Sequence, residues 1–111
     1  MVVQMMEEIV EDLTEELKNE PDFNVAVLKN KVKAAVRELK TKRNYIASSM
    51  SESQIDEDIQ NYYSVILNVA RYDYNQIGAE GELSHTENGV QRQYESRDNL
   101  WRSVHAFVRV L

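Results

Sequence analysis

Two histidines, His85 and His105, are the side chains of this chain that titrate near neutrality without help. His85 follows Ser84 and lies among Glu80, Glu82 and Glu87, a donor set suited to a hard or borderline cation. The spacing matches no recurrent ligand pattern, and the donors would sit on a loop. Ser84-His85 also fails as a nucleophile and base. Neighbours on a strand point to opposite faces, whereas a working pair meets across a fold. His105, beside Phe107, reads as a packing residue. Gly78-Ala-Glu-Gly81 is short of both glycine-rich phosphate patterns and carries a glutamate that would repel phosphate. With no cysteine there is no thiol nucleophile, thiolate metal site or disulfide, which fits a reducing cytoplasm. No catalytic, cofactor-binding or metal residue is assigned, and the chain does not read as an enzyme.

The elements that must carry these residues are mostly helical. Met6, Ile9, Val10, Leu13 and Leu17 recur at steps of three or four and predict a helix over about 3–19, ending ahead of Pro21. Asp22 or Asn24 can cap a second helix over about 24–43, with Val25, Leu28, Val32, Ala35, Val36 and Leu39 as its apolar stripe. Ser51-Glu-Ser-Gln54 matches a capping box. The apolar series from Ile55 to Ile77 then predicts one long central helix over about 52–77, with Gly78 placed as a left-handed stop. Asn88-Gly89 is a tight-turn signal, so 79–96 is expected to form a β-hairpin or extended arm. Asp98 can cap a last helix over about 98–110, although Val104 to Leu111 also reads as a strand. The expectation is a mainly α single domain over 1–111, a small bundle of about four helices with that arm between the third and fourth.

Composition narrows the function. At 111 residues, with 42% hydrophobic and 29% charged, the chain has the balance of a folded soluble domain. No apolar stretch approaches the roughly 20 residues that span a bilayer. The acidic start, lacking a basic n-region, does not read as a secretory signal. Net charge is −6, but it is sorted along the chain. Residues 1–28 carry one base against eight acids, residues 29–43 seven bases against Glu38, and residues 44–111 five bases against ten acids. The basic block points either to nucleic acid or to attraction for the acidic first helix, within a subunit or between copies. It lacks interleaved aromatics, and the molecule as a whole would repel phosphate. Tyr72 and Tyr74, flanking Asp73, are of a type enriched at protein interfaces. The residues thus describe a helical interaction module with a projecting arm.

One segment carries a resemblance. Tyr72-Asp-Tyr-Asn-Gln-Ile-Gly-Ala-Glu-Gly81, Ser84-His-Thr-Glu-Asn-Gly89 and Arg92-Gln-Tyr-Glu-Ser96 resemble the tailed-phage head–tail connector (adaptor) proteins. Lys31 to Lys40, Arg43-Asn-Tyr45 and Tyr62 to Ile66 are similar in the same order, so the likeness spans roughly residues 6–111. It departs at Thr86, where the pattern has serine, and at Gln93, where it has threonine. The resemblance implies a structural subunit, without catalytic residues or cofactors, at the head–tail junction of the virion and assembled in the bacterial cytoplasm. Its implied partners are further copies in a ring (dodecameric in the virion), the portal protein and a tail-completion or stopper protein. DNA would pass through the channel without specific binding, and no membrane is involved. Subunit-interface candidates are Tyr72, Tyr74, Gly78, Gly81, His85, Asn88, Gly89, Arg92 and Tyr94. Portal-docking candidates are Trp101, Phe107, Val108 and Leu111. The competing reading is a small helical nucleic-acid-associated regulatory protein using helix 29–43.

Overall fold

The computed structural model describes residues 2–79 and 97–108. The described residues form helices and turns, with no strand among them. Helix α1 spans Val2–Leu17 and α2 spans Val25–Arg43; a 3-10 turn follows at Tyr45–Ala47. Then come α3 at Glu52–Gln60, α4 at Tyr63–Ala79 and a single turn, α5, at Arg97–Leu100. The chain is mainly α, as the periodicity predicts.

Each helix buries the stripe that its spacing dictates. Met5, Ile9, Leu13 and Leu17 of α1, four residues apart, meet Leu28, Val32, Ala35, Val36 and Leu39 of α2. Ile59 of α3, Ile66, Val69 and Ala70 of α4, and Trp101 complete one core. Met6 and Val10, expected in the stripe, lie half-buried at its rim. Helix α2 packs along α4, so these two form the centre against which α1, α3 and α5 rest.

The caps behave as their chemistry requires. Asn24 Oδ1 accepts from the Ala26 and Val27 amides at 2.9 and 3.2 Å, two of the orphan donors that every helix start presents. Asp22 instead takes a left-handed turn, φ 63°, that brings the chain round after Pro21. At α3 the capping box forms as expected: Gln54 N donates to Ser51 Oγ at 3.3 Å, and Ser51 N donates to Gln54 Oε1 at 2.8 Å.

Three expected boundaries are corrected. The central helix over 52–77 is two helices, because hydrogen bonding tightens at Asn61 and Tyr62. Asn61 N reaches Asp58 O at 3.1 Å and Tyr62 N reaches Ile59 O at 2.9 Å, the three-residue closure of a 3-10 turn. Gly78 does not stop α4, which runs on to Ala79; glycine inside a last turn costs only about 1 kcal/mol relative to alanine. The helix expected over 98–110 ends at Leu100. Beyond it Trp101 N and Arg102 N bond three residues back, and residues 104–108 have no regular structure. The competing partner is the end of α2, whose Arg43 carbonyl accepts from Phe107 N. The arm expected over 79–96 lies, past Ala79, outside the described residues.

Candidate assembly surfaces

A clasp around Arg43 closes the end of α2. Asn44 ends α2 in the left-handed region, φ 55° and ψ 57°, and its amide turns back to Lys40 O and Thr41 O. The carbonyl of Arg43, one of the orphans of a helix end, accepts from Phe107 N at 2.8 Å. Asn44 Nδ2 donates to Phe107 O at 3.2 Å. The Arg43 side chain closes the clasp from the other side. Its Nε and Nη2 donate to the two Asp58 oxygens at 2.8 and 3.0 Å, and Nη1 donates to His105 O at 2.6 Å. The guanidinium lies 4.1 Å from the Phe107 ring centroid and 5.3 Å from that of Tyr62, within cation–π range. Tyr45 donates to Asp58 Oδ2 at 2.6 Å, so the carboxylate is held from two sides.

The electrostatics follow from this crowding. Only 12% and 14% of the Arg43 and Asp58 side chains is exposed, enough burial to weaken an unpaired charge. Burial alone would raise the Asp58 carboxyl, yet the hydrogen bonds from Arg43 and Tyr45 outweigh it and hold it below its ordinary value. Burial would lower Arg43 in the same way, and its bonds to Asp58 and Tyr45 raise it instead. Tyr45 is pushed up by burial and by the carboxylate it donates to. Arg43 and Asp58 are thus both charged, and both consumed by the fold.

A second cluster ties down the two ends of the glycine-bearing segment. Arg97 donates to both oxygens of Glu38 at 2.6 and 2.9 Å. It also donates to both oxygens of Asp73 at 2.7 and 2.8 Å. Bonds to Asp73 and then to Glu38 raise this guanidinium above its usual value. Tyr74 has inward work: its hydroxyl accepts from Asn24 N at 2.9 Å and its ring tilts against Phe23 at 5.9 Å. The segment therefore leaves α4 and returns at α5 on bases fixed to α2.

The outer faces of α1 and α2 are the third feature. The acids of α1 divide by position. Asp12 accepts from the Tyr63 hydroxyl, and Glu16 pairs with Arg71 at 2.8 Å. Glu7, Glu8 and Glu11 are exposed, with no ion pair to a described residue. Burial, the bond to Asp12 and the field of Glu8 and Glu11 together push the Tyr63 phenol up to about 12. On α2, Lys29, Lys33, Arg37 and Lys40 occupy one exposed stripe at steps of four, four and three. They too make no ion pair to a described residue. Although α1 packs on α2, no ion pair joins them among the described residues.

The structure sorts the sequence-predicted residues unevenly. Tyr72 is half-buried on α4 beside Tyr74, and Gly78 lies in the last turn of that helix. Gly81, His85, Asn88, Gly89, Arg92, Tyr94 and Leu111 fall outside the described residues. Trp101 is 4% exposed, beneath Lys42 Nζ at 5.5 Å, and so belongs to the core rather than to an outer face. Phe107 fills the clasp, its ring 5.9 Å from that of Tyr45. Val108, just past it, is 77% exposed, and Ile46 beside Tyr45 is 86% exposed. His105 is exposed and off any helix. Sequence reasoning missed Arg43, Asp58, Glu38 and Arg97 as organising groups. A cation in the last turn of α2 is favoured by the helix dipole, but nothing local marks Asp58 or Arg97.

Among the described residues no group of three potential metal ligands converges, and no helix is long and apolar enough to cross a membrane. What the arrangement offers is surface: exposed apolar side chains at Ile46 and Val108, each next to a residue of the clasp, and exposed charges of opposite sign on α1 and α2. Comparison with known proteins matches the chain, over residues 5–105, to a family described as phage gp6-like head-tail connector protein. No curated protein and no solved structure matches the chain.

Proposed function

The chain belongs to the phage gp6-like head-tail connector family, and from that premise we propose that it is a structural subunit of the head–tail junction. Copies assemble into a ring that sits on the portal and receives tail-completion proteins, leaving a channel for DNA. The match over residues 5–105 carries this reading. Ring closure needs a heterologous contact, one patch of each subunit meeting a different patch on the next. The segment between α4 and α5, with Tyr72 and Gly78 on the helix that leads into it, contributes to that contact. An acidic surface suits a channel that must release DNA, because phosphate contacts to Lys and Arg dominate nonspecific affinity.

In this proposal the portal contact is the clasp end, where Val108 and Ile46 are exposed while Phe107 and Trp101 hold the segment to the subunit. Co-expression with the cognate portal protein, followed by electron microscopy, tests the proposal. Wild-type protein is expected as closed rings on portal particles, and Val108→Asp is expected to be lost from them while folding normally by circular dichroism. Wild-type protein that never joins portal particles rejects the connector role; Val108→Asp that docks as wild type rejects only the placement of the contact.

A further inference from the structure

We infer that the outer face of α1 and the outer stripe of α2 are the two halves of one subunit contact, the acidic face of each copy meeting the basic stripe of the next. This rests on the connector reading and names the surfaces that reading leaves open. Helix α1 carries six acids and no base; α2 carries seven bases and one acid. The charges are opposite, and their fold partners account for only some of them. Asp12 and Glu16 are tied to α4, Glu38 to Arg97 and Arg43 to Asp58. Left facing outward are Glu7, Glu8 and Glu11 on one helix, and Lys33, Arg37 and Lys40 with Lys29 on the other.

Each set lies on the exposed side of its helix, away from that helix's buried stripe. At 1.5 Å rise per residue Glu7 to Glu11 spans about 6 Å, and Lys29 to Lys40, at steps of three and four on one face, about 16 Å. They do not pair with each other among the described residues of a subunit: α1 and α2 turn their buried stripes into one core, and these charges lie on the exposed sides of the helices. Like charges along a stripe repel, so each stripe gains from an opposite one brought in from outside. A second copy supplies both at once, and an acidic-on-basic contact is head-to-tail by construction, as a ring demands. Nucleic acid would satisfy α2 alone and would meet the acidic face of α1 beside it.

Charge reversal tests the contact. Sedimentation velocity and native mass spectrometry of the full chain are compared at about 0.05 M and about 0.5 M salt, between which screening shortens severalfold. Wild-type protein is expected to self-associate at low salt and to dissociate at high salt. Glu7→Lys/Glu8→Lys/Glu11→Lys and Lys33→Glu/Arg37→Glu/Lys40→Glu are each expected to associate at least about tenfold more weakly. An equimolar mixture of the two is expected to regain association, since each supplies what the other lacks. Circular dichroism confirms folding, and Glu8→Gln/Glu11→Gln replaces the first variant if it misfolds. A wild type that is monomeric at low salt overturns the inference, as does a reversed variant that associates normally or a mixture no better than its parts. Retention of duplex DNA by wild type but not by the second variant also overturns it, assigning the α2 stripe to nucleic acid. If the inference fails while wild type still forms rings on portal particles, the connector role stands and only this contact is wrong.

Discussion

Arg37 and Arg43 stand on the same helix, less than two turns apart, and have opposite fates. Arg43 is enclosed: a carboxylate takes two of its donors, a backbone carbonyl a third, and an aromatic ring covers its face. Arg37 is exposed and has no ion pair to a described residue. The difference lies in what the fold brings opposite each position. Asp58 and the 104–108 segment converge on the end of α2, while the side bearing Arg37 faces away from every packed helix. A charge whose hydrogen-bonding capacity is filled inside the subunit holds the fold together. A charge left unfilled on a stripe of like charges is available to a partner.

The same contrast divides the C-terminal segment, and there the effect of substitution is largest. Trp101 is buried with Leu39, Ile66 and their neighbours, so Trp101→Ala should cost about 3–5 kcal/mol by chemical denaturation. A loss below about 1 kcal/mol would mean that Trp101 is not part of the core, and would return it to the docking surface that its type suggests. This is why truncating the C-terminal residues is a poor probe of docking, whereas a change at Val108 is a clean one.

The next effect in size concerns the clasp. Arg43→Met leaves the Asp58 carboxylate nearly buried and without its cation, which should cost about 3 kcal/mol. It should also release residues 104–108, seen as faster proteolysis beyond Trp101. The clasp has a pH signature of defined sign. Asp58 titrates below its ordinary value of 3.8 in the folded protein, so its contribution is complete above that pH. It is lost as pH falls through the lower folded value. Acid denaturation of wild type should therefore contain a component missing from Asp58→Asn. Identical acid profiles for the two would show that the pair does not stabilise the fold.

Much of this arrangement is legible in sequence, and what is not has a physical cause. The stripes of α1 and α2, the Asn24 cap and the Ser51–Gln54 box are local patterns, and local patterns survive into the fold. The break at Asn61 and Tyr62 is hidden because no glycine or proline marks it and the apolar series runs through it unbroken. The end of the last helix at Leu100 is decided by the carbonyl of Arg43, 64 residues away from Phe107. The pairs Arg43–Asp58 and Arg97–Glu38 likewise join residues with no spacing rule between them. The charge blocks are plain in the sequence, but only packing separates the members used by the fold from those left outside it.

The smallest expected effect is the sharpest test of that separation. Arg37→Met removes one charge from the stripe and touches no ion pair of the fold, so stability should change by less than about 0.5 kcal/mol. Its side chain still covers the neighbouring turn with apolar atoms, since methionine keeps the unbranched stem and is a good helix former. The matching change at Arg43 removes the same charge from the same helix and should cost several times more. Both are read by the same denaturant midpoint, so the ratio does not depend on the absolute stability of the domain. Comparable losses at the two positions would mean that Arg37 has work inside the subunit, and the basic stripe would then be part of the fold rather than a surface kept for a neighbour.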